Sequence, residues 1–282
     1  MMSDRTMYRR LAVLVTIFSL ILLAGCHRPK LAATILPAPT SSAPTPRPTV
    51  PIVSTSTPST QAPPAMKNVL PVDLLTADGV PIKGDYYRPV VAHAPAVALV
   101  HGSGRDRSAW QLFARQLMEQ GIPALAIDLR GHGDSGGEAS DQNKIEDVAV
   151  AVAFLKAQAE VDSNEIAIIG ANDSSWWTLD YARQHPDIQA VALITPGIRY
   201  DKKLLKQVMN DYGERPIFLA VSDHKGNHDE NVVKVAHLLD NLAKGPHELV
   251  ILHDPGWGIG LLMQENGLAV RLLAWVQQYW QE

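Results

Sequence analysis

Cysteine is nearly missing from this chain: Cys26 stands alone in 282 residues. A single thiol excludes an intrachain disulfide and any cysteine-based metal site. An excess of either charge is also missing. The formal net charge is −4, which gives no reason to expect nucleic acid, or an anionic membrane, to be bound through charge. The histidines do not pair with carboxylates at the spacing of zinc ligands. No internal repeat is found, and only the short stretch from Gly197 to Gly213 offers material for a separate lid. Apolar residues make up 46% of the chain and charged ones 19%, so a sizeable core can be buried.

One long apolar run does exist, and it lies at the start. Arg5, Arg9 and Arg10 precede Leu11–Leu23, and Leu23-Ala24-Gly25-Cys26 closes the run. The run is short for a spanning helix and has the flanks of an export signal. Its last four residues resemble the lipobox of bacterial lipoproteins. That resemblance implies a diacylglyceryl group on Cys26, an export signal over residues 1–26, and attachment to the outer face of a bacterial membrane. The membrane would then be a partner through the acyl chains, each buried methylene contributing about 0.8 kcal/mol. The bland alternative is an uncleaved anchor helix. Residues 27–65 hold half of the prolines, mixed with Ser, Thr and Ala. Such a stretch buries too little to offset its ordering entropy and reads as a disordered, extended tether.

From residue 66 to residue 282 the texture is that of one α/β domain. Val69–Leu75 and Pro81–Tyr87 flank Ala77-Asp78-Gly79, a hairpin pattern. Short apolar runs follow at Ala96–Val100, Ile122–Ile127, Ile166–Ile169, Ala190–Ile194, Ile217–Val221 and Leu249–Leu252. Helical patterns stand between them, from Trp110 to Gln120, which Gly121 stops, through the residues after Ile145, to a closing helix over Leu261–Trp280. Alternating elements of this kind predict a mostly parallel sheet with helices on both faces. Ligand sites in such sheets lie beyond the carboxyl ends of the strands.

Three segments carry a family resemblance: His101-Gly102-Ser103-Gly104 after one strand, Asp128-Leu129-Arg130-Gly131-His132-Gly133-Asp134-Ser135 after the next, and Ile166-Ala167-Ile168-Ile169-Gly170 leading into a helix. In order and in loop sequence they resemble the α/β-hydrolase superfamily, serine-hydrolase or dienelactone-hydrolase-like, from about Val69 to Trp280. The resemblance implies a nucleophile elbow of the form G-x-S-x-G. Here the elbow reads Gly170-Ala171-Asn172-Asp173-Ser174, so Asn172 stands at the nucleophile position. Asp223 fits the acid position, and Trp257, in Gly256-Trp257-Gly258, stands where a histidine belongs. An amide is no nucleophile near neutral pH, and an indole N–H only donates. The implied oxyanion hole would use backbone N–H groups near Ser103 and Asp173, with His101 and Gly102 shaping the loop.

Other residues offer substitutes. Ser174 or Ser175 could be a displaced nucleophile, but a serine in a first helical turn is far more often a cap. Asp173 resembles a dehalogenase nucleophile placed one residue late. His224, His228 and His253 are candidate bases, of which His253 lies best; a lone loop histidine is more often merely solvated. Trp176, Trp177 and Trp257 fall near the expected cleft. They could bind a small apolar or carbohydrate-like ligand, or simply pack the pocket shut. Asp128, Arg130 and His132 read as groups that bond their own loop. No cofactor or metal is implied. The triad acts as a unit, so the sequence predicts a non-catalytic binding or scaffold lipoprotein at the cell envelope. The alternative is a hydrolase of esters or related acyl compounds with a non-standard nucleophile and base.

Overall fold

The computed structural model describes residues 68–224, 230–253, 255–264 and 267–278. They belong to one unit spanning Thr60–Glu282. Cys26 and the stretches read from sequence as an export signal and a tether lie outside the described residues, as does His228. No helix among the described residues is long and apolar enough to cross a membrane.

Eight strands form one sheet: β1 (Val69–Leu75), β2 (Pro81–Tyr87), β3 (Ala94–Val100), β4 (Ala124–Ile127), β5 (Val161–Ala171), β6 (Ile188–Ile194), β7 (Ile217–Ser222) and β8 (His247–Leu252). Their spatial order is β1-β2-β4-β3-β5-β6-β7-β8. β1 and β2 form the expected hairpin, and β2 pairs antiparallel with β4. The remaining pairs are parallel. The helices are α1 (Gln111–Glu119), α2 (Ile145–Lys156), α3 (Ser174–Gln184), α4 (Lys202–Tyr212), α5 (Glu230–Leu242) and α6 (Leu268–Gln278).

Strand alternation divides the core. Ile166 and Ile168 of β5, Val191 and Leu193 of β6, and Ile217 and Leu219 of β7 face the layer of α2, α3, α4 and α5. Ala167, Ile169, Ala192, Ile194, Phe218 and Ala220, the residues between, face α1 and α6. Because both faces are covered, β4 and β7 are buried from end to end, which explains their unbroken apolar runs.

Strands β3, β4, β6 and β8 start two residues from their expected places, and two departures are larger. β5 begins at Val161, five residues early, because the polar run Asp162–Glu165 is still extended where it leaves α2. The closing helix is two pieces. A 3-10 turn, Gly258–Met263, precedes α6, and Gly258 and Gly267 take left-handed φ values of 54° and 77° at the starts of the two.

Candidate active site

The carboxyl ends of β5 and β6 hold two left-handed residues that are not glycine. Asn172 has φ 56° and Thr195 has φ 53°. Asn172 stands between the end of β5 and the start of α3, a sharp strand-to-helix turn. Its N–H donates to the Ile194 carbonyl at 2.9 Å. Its own carbonyl accepts from Ser175 N–H at 3.1 Å and Gly197 N–H at 2.9 Å. Asparagine tolerates this conformation better than most residues, and these bonds hold it there.

The Asn172 side chain is flanked closely on two sides, although the residue stays partly exposed. A Cβ on Gly102 would lie 2.7 Å from Asn172 Cβ, and one on Gly258 would lie 2.3 Å from Asn172 Oδ1. The amide is therefore enclosed between two glycine backbones that can come this close only because they lack side chains. Gly258 is fixed in turn, its N–H donating to Thr195 Oγ1 at 3.0 Å. Asn172 Oδ1 is buried and accepts no hydrogen bond among the described residues.

The expected oxyanion donor is engaged. Ser103 N–H donates to Asp173 Oδ1 at 2.7 Å, and the Ser103 hydroxyl bonds to Asp173 Oδ2. Of the donors the hydrolase resemblance implied near Ser103 and Asp173, the Ser103 N–H is thus taken up by the protein's own carboxylate. Asp173 is the residue before α3, yet its side chain does not cap that helix.

Asp223 has a histidine partner, but not at position 257. His253 Nδ1 lies 2.7 Å from Asp223 Oδ1, with the two side chains 84% and 40% exposed. Asp223 N–H donates to the Leu252 carbonyl at 2.9 Å, and His224 Nδ1 lies 3.2 Å from the His253 carbonyl oxygen. The end of β7 thus meets the end of β8 in an acid–imidazole pair on the surface. Trp257 packs instead on Val221, Val232 and Ala236, beside Leu249 and Ile251. It is Gly258, the next residue, that covers Asn172.

Residues 92–222 match the family model described as serine aminopeptidase, S33. The esterase Pf2001 of Pyrococcus furiosus superimposes with a TM-score of 0.63 at 18% identity, over 75% of this chain and 93% of the esterase. The dienelactone hydrolase of Anabaena variabilis gives a TM-score of 0.57 at 17% identity, over 75% and 97%. This chain has the α/β-hydrolase fold. In sequence, the thiohydrolase aneE of Aspergillus aculeatus is 27% identical over 145 residues, 49% of this chain. The match spans only 45% of that relative's length.

Within the α/β-hydrolase fold, the remaining predicted residues divide by their surroundings. His101 is fully buried. Its Nε2 accepts from Leu129 N–H at 3.0 Å, so the proton sits on Nδ1, which lies 2.8 Å from the Gly102 carbonyl. Burial holds its pKa below the ordinary histidine value, against the pull of that carbonyl. Both ring nitrogens serve the loop, and neither faces a substrate. Ser174 Oγ accepts from Ala171 N–H at 2.9 Å and lies 2.9 Å from the Val100 carbonyl. It is fully buried, as is Ser175; neither is placed as a displaced nucleophile. Trp176 and Trp177, for which the sequence left ligand binding and packing both open, are half-buried against the core shared by α2, α3 and α4.

The Asp128–Ser135 loop is a network. Asp128 accepts from Arg107 N–H at 2.6 Å and Asp134 N–H at 2.8 Å, and pairs with the Arg107 guanidinium. The buried Arg130 guanidinium meets Asp147 at 2.8 Å, Asp78 at 2.8 Å and Asp141 at 2.6 Å. Among the described residues no group of three or more His, Cys, Asp or Glu side chains could hold a metal ion.

Sequence reasoning named Asp223 and His253 separately, as acid position and best-placed base, without pairing them, and it missed the Asp173–Ser103 contact. The first had a signal, since His253 directly follows β8. The second had none in the motif, because it depends on how closely the two loops approach.

Proposed function

We propose that this chain is an exported lipoprotein, anchored through Cys26, whose α/β-hydrolase-fold domain binds a ligand or partner at the cell envelope and does not catalyse acyl transfer. One observation carries the reading: Asn172 occupies the elbow turn with its amide enclosed between Gly102 and Gly258. Acyl transfer by this fold needs an attacking atom, a base in reach of it and free donors for the oxyanion. An amide flanked by these two backbones offers no attacking atom. The engaged Ser103 N–H supports the same conclusion from the oxyanion side.

A second reading retains hydrolysis and rests on the Asp223–His253 pair. An imidazole oriented by a carboxylate can act as a general base toward water. The relatives named as esterase and thiohydrolase suggest ester or thioester substrates for that case.

The test is a rate on an activated ester and on a thioester, with fluorophosphonate labelling, for the wild type, Asn172→Ala and His253→Ala. The expected outcome is no labelling and equal, background rates in all three. Turnover by the wild type that disappears in His253→Ala would establish the second reading. The lipid anchor is tested separately by Cys26→Ser, which should abolish both incorporation of labelled fatty acid and cleavage of the export signal.

A further inference from the structure

Beside the closed elbow lies a cavity of about 490 Å³, lined by Gly197, Ile198, Arg199, Tyr200 and Asn231. It adjoins the elbow through Gly197, whose N–H bonds the Asn172 carbonyl at 2.9 Å. We propose that this cavity is a binding site for a small molecule that carries an oxyanion, carboxylate or phosphate, on a flat apolar body. The proposal names a ligand class for the binding role above and rests on that role.

Arg199 supplies the charge. Its guanidinium forms no ion pair or hydrogen bond among the described residues, and a planar fork of donors suits carboxylate and phosphate oxygens. Tyr200, 48% exposed on the same wall, offers a flat face for the body of the ligand. The volume falls within the range of small-molecule sites.

The surroundings add positive potential. Between Arg199 and Lys206 stand four cations, Arg199, Lys202, Lys203 and Lys206, and one acid, Asp201. Asp201 turns inward as the cap of α4, accepting from Lys203 N–H and Leu204 N–H at 3.0 Å each. At about 100° per residue, Lys202, Lys206 and Lys203 fall within one arc of α4. All three are exposed, and none is ion-paired among the described residues. A local cluster of this sign, in a chain of net charge −4, draws anions toward the cavity.

Calorimetric titration of the full chain in neutral detergent tests the proposal, with phenyl phosphate, benzoate and phenol as probes. Saturable binding is expected for the two anions and not for phenol. Arg199→Gln should weaken it about tenfold or more, with an unchanged melting temperature because the side chain is exposed. Tyr200→Ala should weaken phenyl phosphate more than inorganic phosphate. Added salt should weaken the anions. Soluble dihexanoylphosphatidylglycerol separates the sources of the phosphate: Arg199-dependent competition with phenyl phosphate would identify a lipid headgroup, and its absence a free anion. No saturable binding by either anion, or binding that Arg199→Gln leaves unchanged, would overturn the site. Ester turnover, measured alongside, would instead overturn the non-catalytic reading and leave the binding result standing.

Discussion

The Asp128–Ser135 loop and the Gly170–Ser174 elbow lie at the same edge of the sheet and differ in what they retain. In the loop, side chains and backbone both fit the hydrolase pattern. Arg130 and Asp128 are fully buried and densely bonded. In the elbow only the backbone fits: the left-handed turn at Asn172 and its bonds to Ile194, Ser175 and Gly197 are present, while the attacking atom is not. The loop's residues hold the structure up, so their chemistry is tied to folding. The elbow's turn is needed to join strand to helix, but its side chain is not. Fold and activity are separable here because they rest on different atoms of neighbouring loops.

The largest effect should therefore come from the loop. Arg130→Met leaves Asp147 buried without its counter-charge and is expected to lower stability by about 3–5 kcal/mol. Asn172→Ala should stay within about 1 kcal/mol of the wild type, since the lost left-handed preference is offset by removal of an unpaired buried oxygen. Urea unfolding of both variants decides it. A greater loss from Asn172→Ala would reverse the comparison.

The same contrast should appear with pH. The Arg130 guanidinium, together with Thr76, holds the Asp78 carboxyl well below the usual carboxylate range. The Asn143 backbone N–H, then Arg130, lowers that of Asp141. A lowered folded-state pKa adds stability that is complete above the ordinary carboxylate value of about 4 and is lost as the pH falls through the folded value. Arg130→Met should flatten this loss below pH 4, and Asn172→Ala should leave it intact. Unfolding curves from pH 6 down to pH 2 check the slope.

The fold was legible because each buried strand is apolar without a break and each loop carries its own turn chemistry. β1 and β2 were readable to the residue from alternation around Asp78-Gly79. β5 was readable only from Ile166, because Asp162–Glu165 looks like a loop and lies in the irregular stretch where the pairing with β3 passes from Val161 to Ile166. Within the site, Asn172 could be placed from its position two residues after Gly170, which closes the apolar run of β5. The neighbours of Asn172 could not, since the approach of Gly102 and Gly258 is a tertiary distance. Trp257 misled for a related reason. Its position in the loop was countable, but its indole turns toward α5, a choice made by the apolar surface of Val221, Val232 and Ala236.

A smaller effect sharpens the view of the closed elbow. Gly258→Ala puts a methyl where the Asn172 amide sits and adds strain at φ 54°, for a loss of about 1–3 kcal/mol. The colliding atoms are Asn172 Oδ1, Cγ and Nδ2, all removed by Asn172→Ala. The double variant should regain about 1 kcal/mol, leaving the backbone strain. A double-mutant cycle in urea reads the coupling. Strict additivity would mean that Gly258 does not cover Asn172.

The smallest effect is expected in catalysis, from restoring the nucleophile. Asn172→Ser supplies a hydroxyl at the elbow, but it lies under Gly258 and Ser103 N–H is still bonded to Asp173. No histidine has been placed beside it either, because His253 is an exposed partner of Asp223. A serine without a base is no better than water. Trp257→His alone adds an imidazole with nothing to deprotonate. The pair Asn172→Ser and Trp257→His adds a hydroxyl and an imidazole, but residue 257 packs toward α5, so the two do not meet, and removing the Asp173 carboxylate as well, by Asp173→Ala, frees only the Ser103 donor. The activated-ester rate should therefore stay at background for the single, double and triple variants alike. Activity from Asn172→Ser alone would mean that the elbow is open and that His253 reaches it, so that the corner is a working site lacking one atom and not a closed one.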